Sequence, residues 1–562
     1  MSGSVLCTAI LWLCGCVGLV KNVPVEVNVT NSKTTAGTVS STPSGIDCGK
    51  TCSATFDLGS TVTLTATPAP GSVFKGWSGA CSGTGTCSFD LNSTVSVTAN
   101  FAVGLDSINH IILLAQENRS FDHYFGKMHE YWAANGYSDT QFDGLPQFNS
   151  PAGQVPTNPG CDPTTSNPFP PNDCKIDSGS PDVASYHLIT QCVENPSPSW
   201  NESHNDWNLT NPVAPNATLD GFVWTAAHDA RNIQPPFLDI NGVRAMGYYD
   251  GGDLNYYYYM ASNFATSDRW FSPTMSRTNP NRMYLIAATS QGHAYPLTAT
   301  SSLLTAKTIF EELQDAGITW KVYVHPDATG CTTPQCLFKL SYLQPFTYGQ
   351  TILNQFPQNI VPQTQFITDA QNGTLPQVAL LEPASNVGLD EHPADTDAVP
   401  PCCSVQAGAN YVSTLINALM GSKSWNDSAF ILTFDEFGGF YDHVAPRPAV
   451  SPDGIKPNDL LPGDICTVVL GPTCDFTYTG YRVPMVVISP FARKHYVSHT
   501  EADNTAILRL IEKRFNLQPL TKRDAAQIDM TEFFDFSTVP WSTPPQPPKQ
   551  NTSGPCYLDR LP

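Results

Sequence analysis

Five runs of apolar residues, at 108–115, 318–324, 378–381, 430–434 and 485–488, constrain this chain more than any other feature. They show no polar alternation, so as strands they must be covered on both faces, the condition of a parallel sheet flanked by helices. Apolar residues between them recur at helical spacing: Leu303, Leu304, Ile309, Phe310 and Leu313, stopped by Gly317, then Val412, Leu415, Ile416 and Leu419. A third set is Ile507, Leu508, Leu510, Ile511 and Phe515. The alternation predicts an α/β domain with a mostly parallel central sheet. Ligands of such sheets bind beyond the carboxyl ends of the strands, so the polar residues that follow each run carry the functional signal.

The first hundred residues read differently. Short strands alternate strictly, with Val25, Val27 and Val29, then Val62, Leu64 and Ala66, then Val95, Val97 and Phe101, so a small all-β module is expected over 23–103. The stretches GTVSSTPSGIDCGKTCSATF (37–56), 61–70 and FKGWSGACSGTGTC (74–87) resemble the divergent internalin B-type repeat of bacterial surface and secreted proteins. That resemblance implies a bacterial source and an accessory role. Upstream, residues 5–20 are apolar but too short to span a membrane, and residues 1–22 read as a secretory leader. Leu13-Cys14-Gly15-Cys16 resembles a lipobox, which makes Cys16 a candidate lipid anchor and a secreted or cell-surface location the expectation.

Fourteen of the 17 cysteines lie beyond that leader, and several sit close together: Cys48/Cys52, Cys81/Cys87, Cys161/Cys174, Cys331/Cys336 and Cys466/Cys474. No zinc-type spacing is present, so disulfides in an oxidising compartment are expected, with connectivity left open. Charged residues are 14% of the chain, against roughly 25% on average, and the net charge is −21. That balance argues against nucleic acid as a partner and against electrostatic capture by anionic lipid. Residues 104–538 are expected to form the large α/β domain, with inserted loops over 140–215 and a Pro-rich tail over 539–562.

Four polar clusters carry chemistry. Glu117 and Asn118 follow the first run, and Asp435 and Glu436 follow 430–434. Paired carboxylates at buried strand ends repel and are costly to desolvate unless a cation sits between them. Asp390-Glu391-His392 follows another run, and Ser276-Arg277-Thr278-Asn279-Pro280-Asn281-Arg282 sets a hydroxyl among amides and guanidinium groups suited to an oxyanion. A nucleophile, anion donors, oxygen-rich metal ligands and histidines are what phosphate ester chemistry requires.

ENRSFDHYFG (117–126), SRTNPNR (276–282), DEHP (390–393), FDEFGGFYDHV (434–444) and GYRVPMVVISPFA (480–492) resemble the bacterial phosphoesterase family of non-zinc phospholipases C and acid phosphatases. The resemblance implies an alkaline-phosphatase-like α/β sandwich. It implies Thr278 as nucleophile and metal ligand, and Glu117, Asn118, Asp435 and Glu436 as metal ligands, Asn118 also touching phosphate. It implies His392 and His204 as catalytic groups and Asn279, Arg282 and His443 as substrate contacts. The cation expected in an all-oxygen shell is Ca²⁺, Mg²⁺ or Mn²⁺ rather than zinc. The late motif departs from the family's Asp-His-Thr, reading Asp503-Asn504-Thr505.

Each residue has a plainer role to weigh. Asp435 and Glu436 suit a helix N-terminus, Thr278 suits a turn cap, His392 and His204 suit structural hydrogen bonds, and Asp442 and His443 suit support of the metal ligands. The expected function is a secreted metal-dependent phospholipase C on phosphatidylcholine-type diesters, touching membrane transiently and without an obligate protein partner. The rivals are an acid phosphatase and an adhesion protein with a dead catalytic scaffold.

Overall fold

The structure, a computed structural model, describes residues 24–33, 35–69, 72–137, 141–164, 173–395 and 403–561. The leader expectation and Cys7, Cys14 and Cys16 lie outside the described residues. The chain forms two compact units that meet in sequence at Ser107 and Ile108.

In the first unit the period-two pattern is realised. Pro24–Asn31 buries Val25, Val27 and Val29, Thr61–Pro68 buries Val62 and Leu64, and Val95–Val103 buries Val97 and Phe101. Two four-stranded sheets share this core, with Trp77 inside it. The first and last strands pair in parallel, Val27 opposite Val95, so the module closes on its own ends. Disulfides Cys48–Cys52 and Cys81–Cys87 staple a unit too small to bury most of its surface.

The second unit is built on an eight-stranded sheet among the described residues. In chain order its strands are β1 (His110–Gln116), β2 (Ala265–Ser267), β3 (Trp320–Val324), β4 (Ile360–Pro362), β5 (Val378–Leu381), β6 (Ser428–Phe434), β7 (Met485–Ile488) and β8 (Tyr496–Ser498). Across the sheet they run β4-β3-β5-β1-β6-β7-β2-β8. The first five in that order are mutually parallel. Only β7 runs against its neighbours β6 and β2. Every residue of β1, β5, β6 and β7 is buried, as runs without alternation require.

Five helices matter below: α1 (Trp200–Trp207), α2 (Thr278–Ala287), α3 (Ile309–Asp315), α4 (Val405–Met420) and α5 (Ala506–Phe515). The α3 and β3 boundaries are tighter than the apolar spacing predicts. Thr308 caps α3 by accepting from Glu311 N (3.2 Å), so Leu303 and Leu304 fall outside it, and Leu304 N instead donates to Pro345 O (2.8 Å). At the other end Gly317, at φ 70°, ends the helix with paired bonds from Gly317 N to Gln314 O and Ile318 N to Leu313 O. Ile318 thereby completes the helix stop, and β3 starts at Trp320.

Residues 140–215 contain α1 and a small ribbon, Thr157–Pro159 with Asp182–Ala184, where only loops are expected from the sequence. The five close cysteine pairs are bonded. A sixth disulfide, Cys192–Cys556, spans 364 residues and ties the Pro-rich tail to the domain. The tail wraps the surface: Trp541 N donates to Pro490 O (2.9 Å), and buried Gln550 donates to Asp253 O (2.8 Å). No helix among the described residues is long and apolar enough to cross a membrane. Replacing Cys192 and Cys556 together with Ala is expected to lower unfolding free energy by about 2–4 kcal/mol, read by denaturant titration, with no loss of turnover.

Candidate active site

Parallel pairing of β1 with β6 builds the site. Gln116 lies opposite Phe434, so the next residues, Glu117 and Asp435, leave the sheet side by side at its carboxyl edge. Asp435 N donates to Gln116 O (3.1 Å), and Asp435 Oδ1 accepts from Asn118 N (3.0 Å) and Glu436 N (2.8 Å). Asn118 adopts a left-handed φ of 61°, which Asn tolerates better than most residues. Gly438 passes so close that a Cβ there would lie 2.1 Å from Asn118 O.

Glu117, Asp435 and Glu436 are all buried, and one guanidinium serves two of them. Arg282 donates from Nη2 to Glu117 Oε1 (2.8 Å) and from Nε to Asp435 Oδ2 (3.3 Å). Tyr342 lies under that guanidinium, 4.6 Å from ring centroid to Cζ, and donates from its hydroxyl to Glu117 Oε1 (2.7 Å). Burial, and then the charge of Glu117, push Asp435 up to about 6. Burial, and then Asp435, hold Glu436 well above the ordinary carboxylate range. Glu436 Oε2 accepts from Gly438 N (2.6 Å), while Oε1 is buried without a hydrogen-bond partner among the described residues.

Above this floor lies an open cavity of about 460 Å³, lined by Glu117, Arg277, Thr278, Asn279, Tyr342, Asp390 and His392 among others. Thr278 is the first residue of α2 and half-buried, at the positive end of the helix dipole where an anion is favoured. Its hydroxyl lies 3.1 Å from Asn118 Oδ1 and 3.4 Å from Glu117 Oε2. His392 Nδ1 donates to Pro393 O (2.6 Å); because a carbonyl only accepts, the neutral ring must carry its free lone pair on Nε2.

The structure therefore brings together Glu117, Asn118, Thr278, Asn279, His392, Asp435 and Glu436. It corrects three expected roles. Arg282 does not line the cavity, because its donors are taken by Glu117, Asp435 and Gln116 O. His204 is fully buried in α1 with Nδ1 on Trp200 O (2.6 Å) and Nε2 on Thr473 O (3.2 Å), so it meets no substrate. His443 sits in a separate ion network, with Nδ1 on Asp122 Oδ2 (2.6 Å) and Nε2 on Asp143 Oδ1 (3.2 Å).

Sequence reasoning missed Tyr342 and named Arg282, whereas the arginine that lines the cavity is Arg277. Arg277 is exposed on the cavity wall, and its guanidinium makes no hydrogen bond or ion pair among the described residues. It caps α2, whereas Arg282 is five residues on, about 140° around the helix. Asn504, in the departed late motif, supports the back of the site: Nδ2 donates to Phe434 O (2.9 Å) and Oδ1 accepts from Trp270 Nε1 (2.7 Å).

Arg482 centres the second network, donating to Asp442 Oδ1 (2.9 Å) and Asp122 Oδ1 (3.1 Å) while fully buried. Burial lowers the His443 pKa, but the charge of Asp122 and the hydrogen bonds to Asp122 and Asp143 outweigh it and raise it to about 9. Burial raises Asp143, and the hydrogen bond from His443 with the charge of Arg482 more than reverses this, holding it well below the carboxylate range. A folded-state pKa above the unfolded value of about 6.5 gives stability that is complete below about pH 6.5 and lost as pH rises through about 9. The wild-type protein is expected to lose roughly 3 kcal/mol relative to His443→Gln across that window, measured by denaturant titration at several pH values.

The acidic floor fits a hard cation. It holds three buried carboxylates against one guanidinium, an unpartnered Glu436 oxygen, and the neutral oxygens of Asn118 and Thr278. Arg282 acts as a spacer, and the three carboxylates are not among the groups whose ligand atoms all lie within 4.8 Å of one another. Two such groups exist among the described residues: Asp122, Asp442 and His443, already filled by Arg482, and His187, Asp250 and Asp253, where Lys127 pairs with Asp250.

Residues 108–518 match the phosphoesterase family, and residues 27–104 match the divergent InlB B-repeat domain. Phospholipase C B of Mycobacterium tuberculosis is 31% identical over 493 residues, covering 82% of this chain and 82% of that protein. Non-specific phospholipase C5 of Arabidopsis thaliana is 29% identical over 447 residues, covering 74% of this chain and 72% of that protein. A solved alkaline phosphatase superfamily protein from Vibrio parahaemolyticus aligns at 13% identity over 49% of this chain and 66% of its own, with a TM-score of 0.30. By its sequence match across 108–518, the chain belongs to the phosphoesterase family.

Proposed function

We propose that the protein is an exported phospholipase C that cleaves phosphatidylcholine-type diesters through a phosphothreonine at Thr278. The observation that carries this reading is the half-exposed Thr278 hydroxyl at the start of α2, facing Glu117 and Asn118 on the floor of the cavity. A neighbouring hollow of about 360 Å³ shares Asn279, Tyr342 and Ser385 with that cavity and adds Leu297, Leu303, Leu340 and Pro345. These four aliphatic side chains, set among Lys339, Ser341, Gln344 and Asn386, give the hollow a mixed lining with room for the glycerol end of a diacylglycerol leaving group, which a monoester phosphatase has no need to hold. The names of the phospholipase C relatives point the same way. Six disulfides support passage through an oxidising compartment.

Arg277 and the amino end of α2 hold the phosphoryl oxygens. Thr278 Oγ1 attacks phosphorus in line, and its proton passes to Glu117 Oε2. The bond from phosphorus to the glycerol oxygen breaks, and His392, entering the cycle as an imidazolium with Nδ1 still on Pro393 O, gives its Nε2 proton to that oxygen as diacylglycerol leaves. Water then attacks the phosphothreonine diester, giving a proton to His392 Nε2. Phosphocholine departs, and Thr278 recovers its proton from Glu117. A divalent cation held by Glu117, Asn118, Asp435, Glu436 and Thr278 supplies neutralisation of phosphoryl charge when bound. Tyr342 and Arg282 keep the Glu117 carboxylate oriented throughout.

Thr278→Ala is expected to fold normally and to lose on the order of 10³ or more in kcat, assayed on p-nitrophenyl phosphorylcholine. His392→Gln should lose about 10²-fold or more in turnover of phosphatidylcholine; on the p-nitrophenyl diester, whose leaving group needs no proton, it should keep the first burst of p-nitrophenol and lose the steady turnover that follows, because the ring also takes the proton of the attacking water. EDTA should abolish turnover, with recovery on adding Mg²⁺, Mn²⁺ or Ca²⁺, and Glu436→Gln should raise the metal concentration needed. Preference for p-nitrophenyl phosphate over the diester would favour the acid phosphatase reading, and loss of neither activity in Thr278→Ala would remove the covalent mechanism.

A further inference from the structure

We propose that the loop closed by the Cys466–Cys474 disulfide is a docking surface for a zwitterionic phospholipid bilayer, with Val468, Val469 and Leu470 entering the interface. The inference deepens the phospholipase reading and rests on it for the choice of lipid.

Val468 is 89% exposed, Val469 63% and Leu470 65%. Isolated exposed apolar side chains are ordinary, but three in succession at the tip of one loop form a contiguous patch of the kind that marks an interaction surface. The tip stands on a braced base. Cys466, Cys474 and Phe476 pack with Trp200 of α1 and with Ala294. Asp464 accepts from Tyr295 Oη (3.1 Å) and Asn201 Nδ2 (2.8 Å). Gly471 lies so close to residue 213 that a Cβ would meet Val213 O at 2.0 Å. Crosslinked and packed in this way, the base holds the three side chains out in water.

The position suits a lipid enzyme. Tyr295, which braces the loop, directly precedes Pro296 on the cavity wall and Leu297 in the neighbouring hollow. The base of the loop is therefore joined through Tyr295 to the segment that walls the cavity.

Charge selects the kind of membrane. Residues 457–481 contain Asp459, Asp464 and Asp475 and no Lys or Arg, and the whole chain carries −21. Attraction to anionic lipid is excluded as the driving force, which leaves apolar burial at a neutral headgroup surface.

The test compares the full-length protein with the triple variant Val468→Asp/Val469→Asp/Leu470→Asp on phosphatidylcholine vesicles by flotation, with hydrolysis of p-nitrophenyl phosphorylcholine as the control for fold and site. The expected result is at least about tenfold weaker vesicle binding, with unchanged kcat/KM on the soluble diester. Wild-type binding should resist high salt and gain nothing from anionic lipid. A single Val468→Trp variant should show a blue-shifted emission on adding the vesicles. Equal vesicle binding by the triple variant, binding that requires anionic lipid, or a tryptophan without any shift each overturns the proposal. So does a triplet that serves only to pair two copies of the chain, seen as loss of a dimer with vesicle binding intact. Triplet-dependent vesicle binding by a protein that hydrolyses no diester would instead uphold the docking surface and overturn the phospholipase reading.

Discussion

Arg282 lies between two carboxylates that the sheet forces together, and the catalytic end of the molecule is organised around that contact. In-register pairing of β1 and β6 places Glu117 beside Asp435 at fully buried strand ends. Two ionised carboxylates there repel, and each alone is expensive to remove from water. The guanidinium satisfies one oxygen of each, and Tyr342 lies against its face. This still leaves three carboxyl groups to one guanidinium: the second oxygen of Glu117 lies 3.4 Å from the Thr278 hydroxyl, and Glu436, with Oε1 unpartnered among the described residues, is held toward its neutral form by burial and by Asp435. A divalent cation bound there would offset the mutual repulsion and desolvation of the three carboxyl groups, which is the physical basis of the proposed metal site.

A second buried arginine does comparable work one layer away. Arg482 joins Asp122, Asp442 and the carbonyls of Asp143 and Asp268, and His443 closes the network. These contacts tie the segment after β1 to the segment after β6 and to the approach to β7. Removing one partner of such a network leaves an unpaired buried charge, a loss of about 3–5 kcal/mol. The network thus fixes the loops that carry Asn118 and Glu436 without itself reaching the cavity.

The strands and most helices were legible because burial on both faces leaves uninterrupted apolar runs, and because Gly317 marks a helix end with its own chemistry, whereas the start of α3 was missed because the Thr308 cap was not read. The placement of Glu117 and Asp435 at strand ends was legible because each follows an apolar run, whereas Thr278 was singled out by its motif and its position at the start of α2 was not foreseen. Tyr342 was not, since it arrives from a loop far in sequence from the residues it touches and belongs to no motif. The roles of Arg277 and Arg282 depended on which side of α2 faces the sheet, a tertiary fact absent from a seven-residue motif. His204 and His443 carried motif-like surroundings, but only the observed partners of their ring nitrogens show that both are committed elsewhere. Cys192 and Cys556 lie too far apart for spacing to pair them.

The central claim is that phosphorus passes through a covalent bond to Thr278, and rapid acid quenching during turnover tests it most directly. The account predicts that peptide mass spectrometry of protein quenched in the steady state with p-nitrophenyl phosphorylcholine finds a phosphorylcholine group on Thr278. It also predicts that the adduct decays at the turnover rate once substrate is exhausted. An unmodified Thr278 peptide under conditions where a burst of p-nitrophenol precedes steady turnover, or an adduct on a different residue, would contradict it.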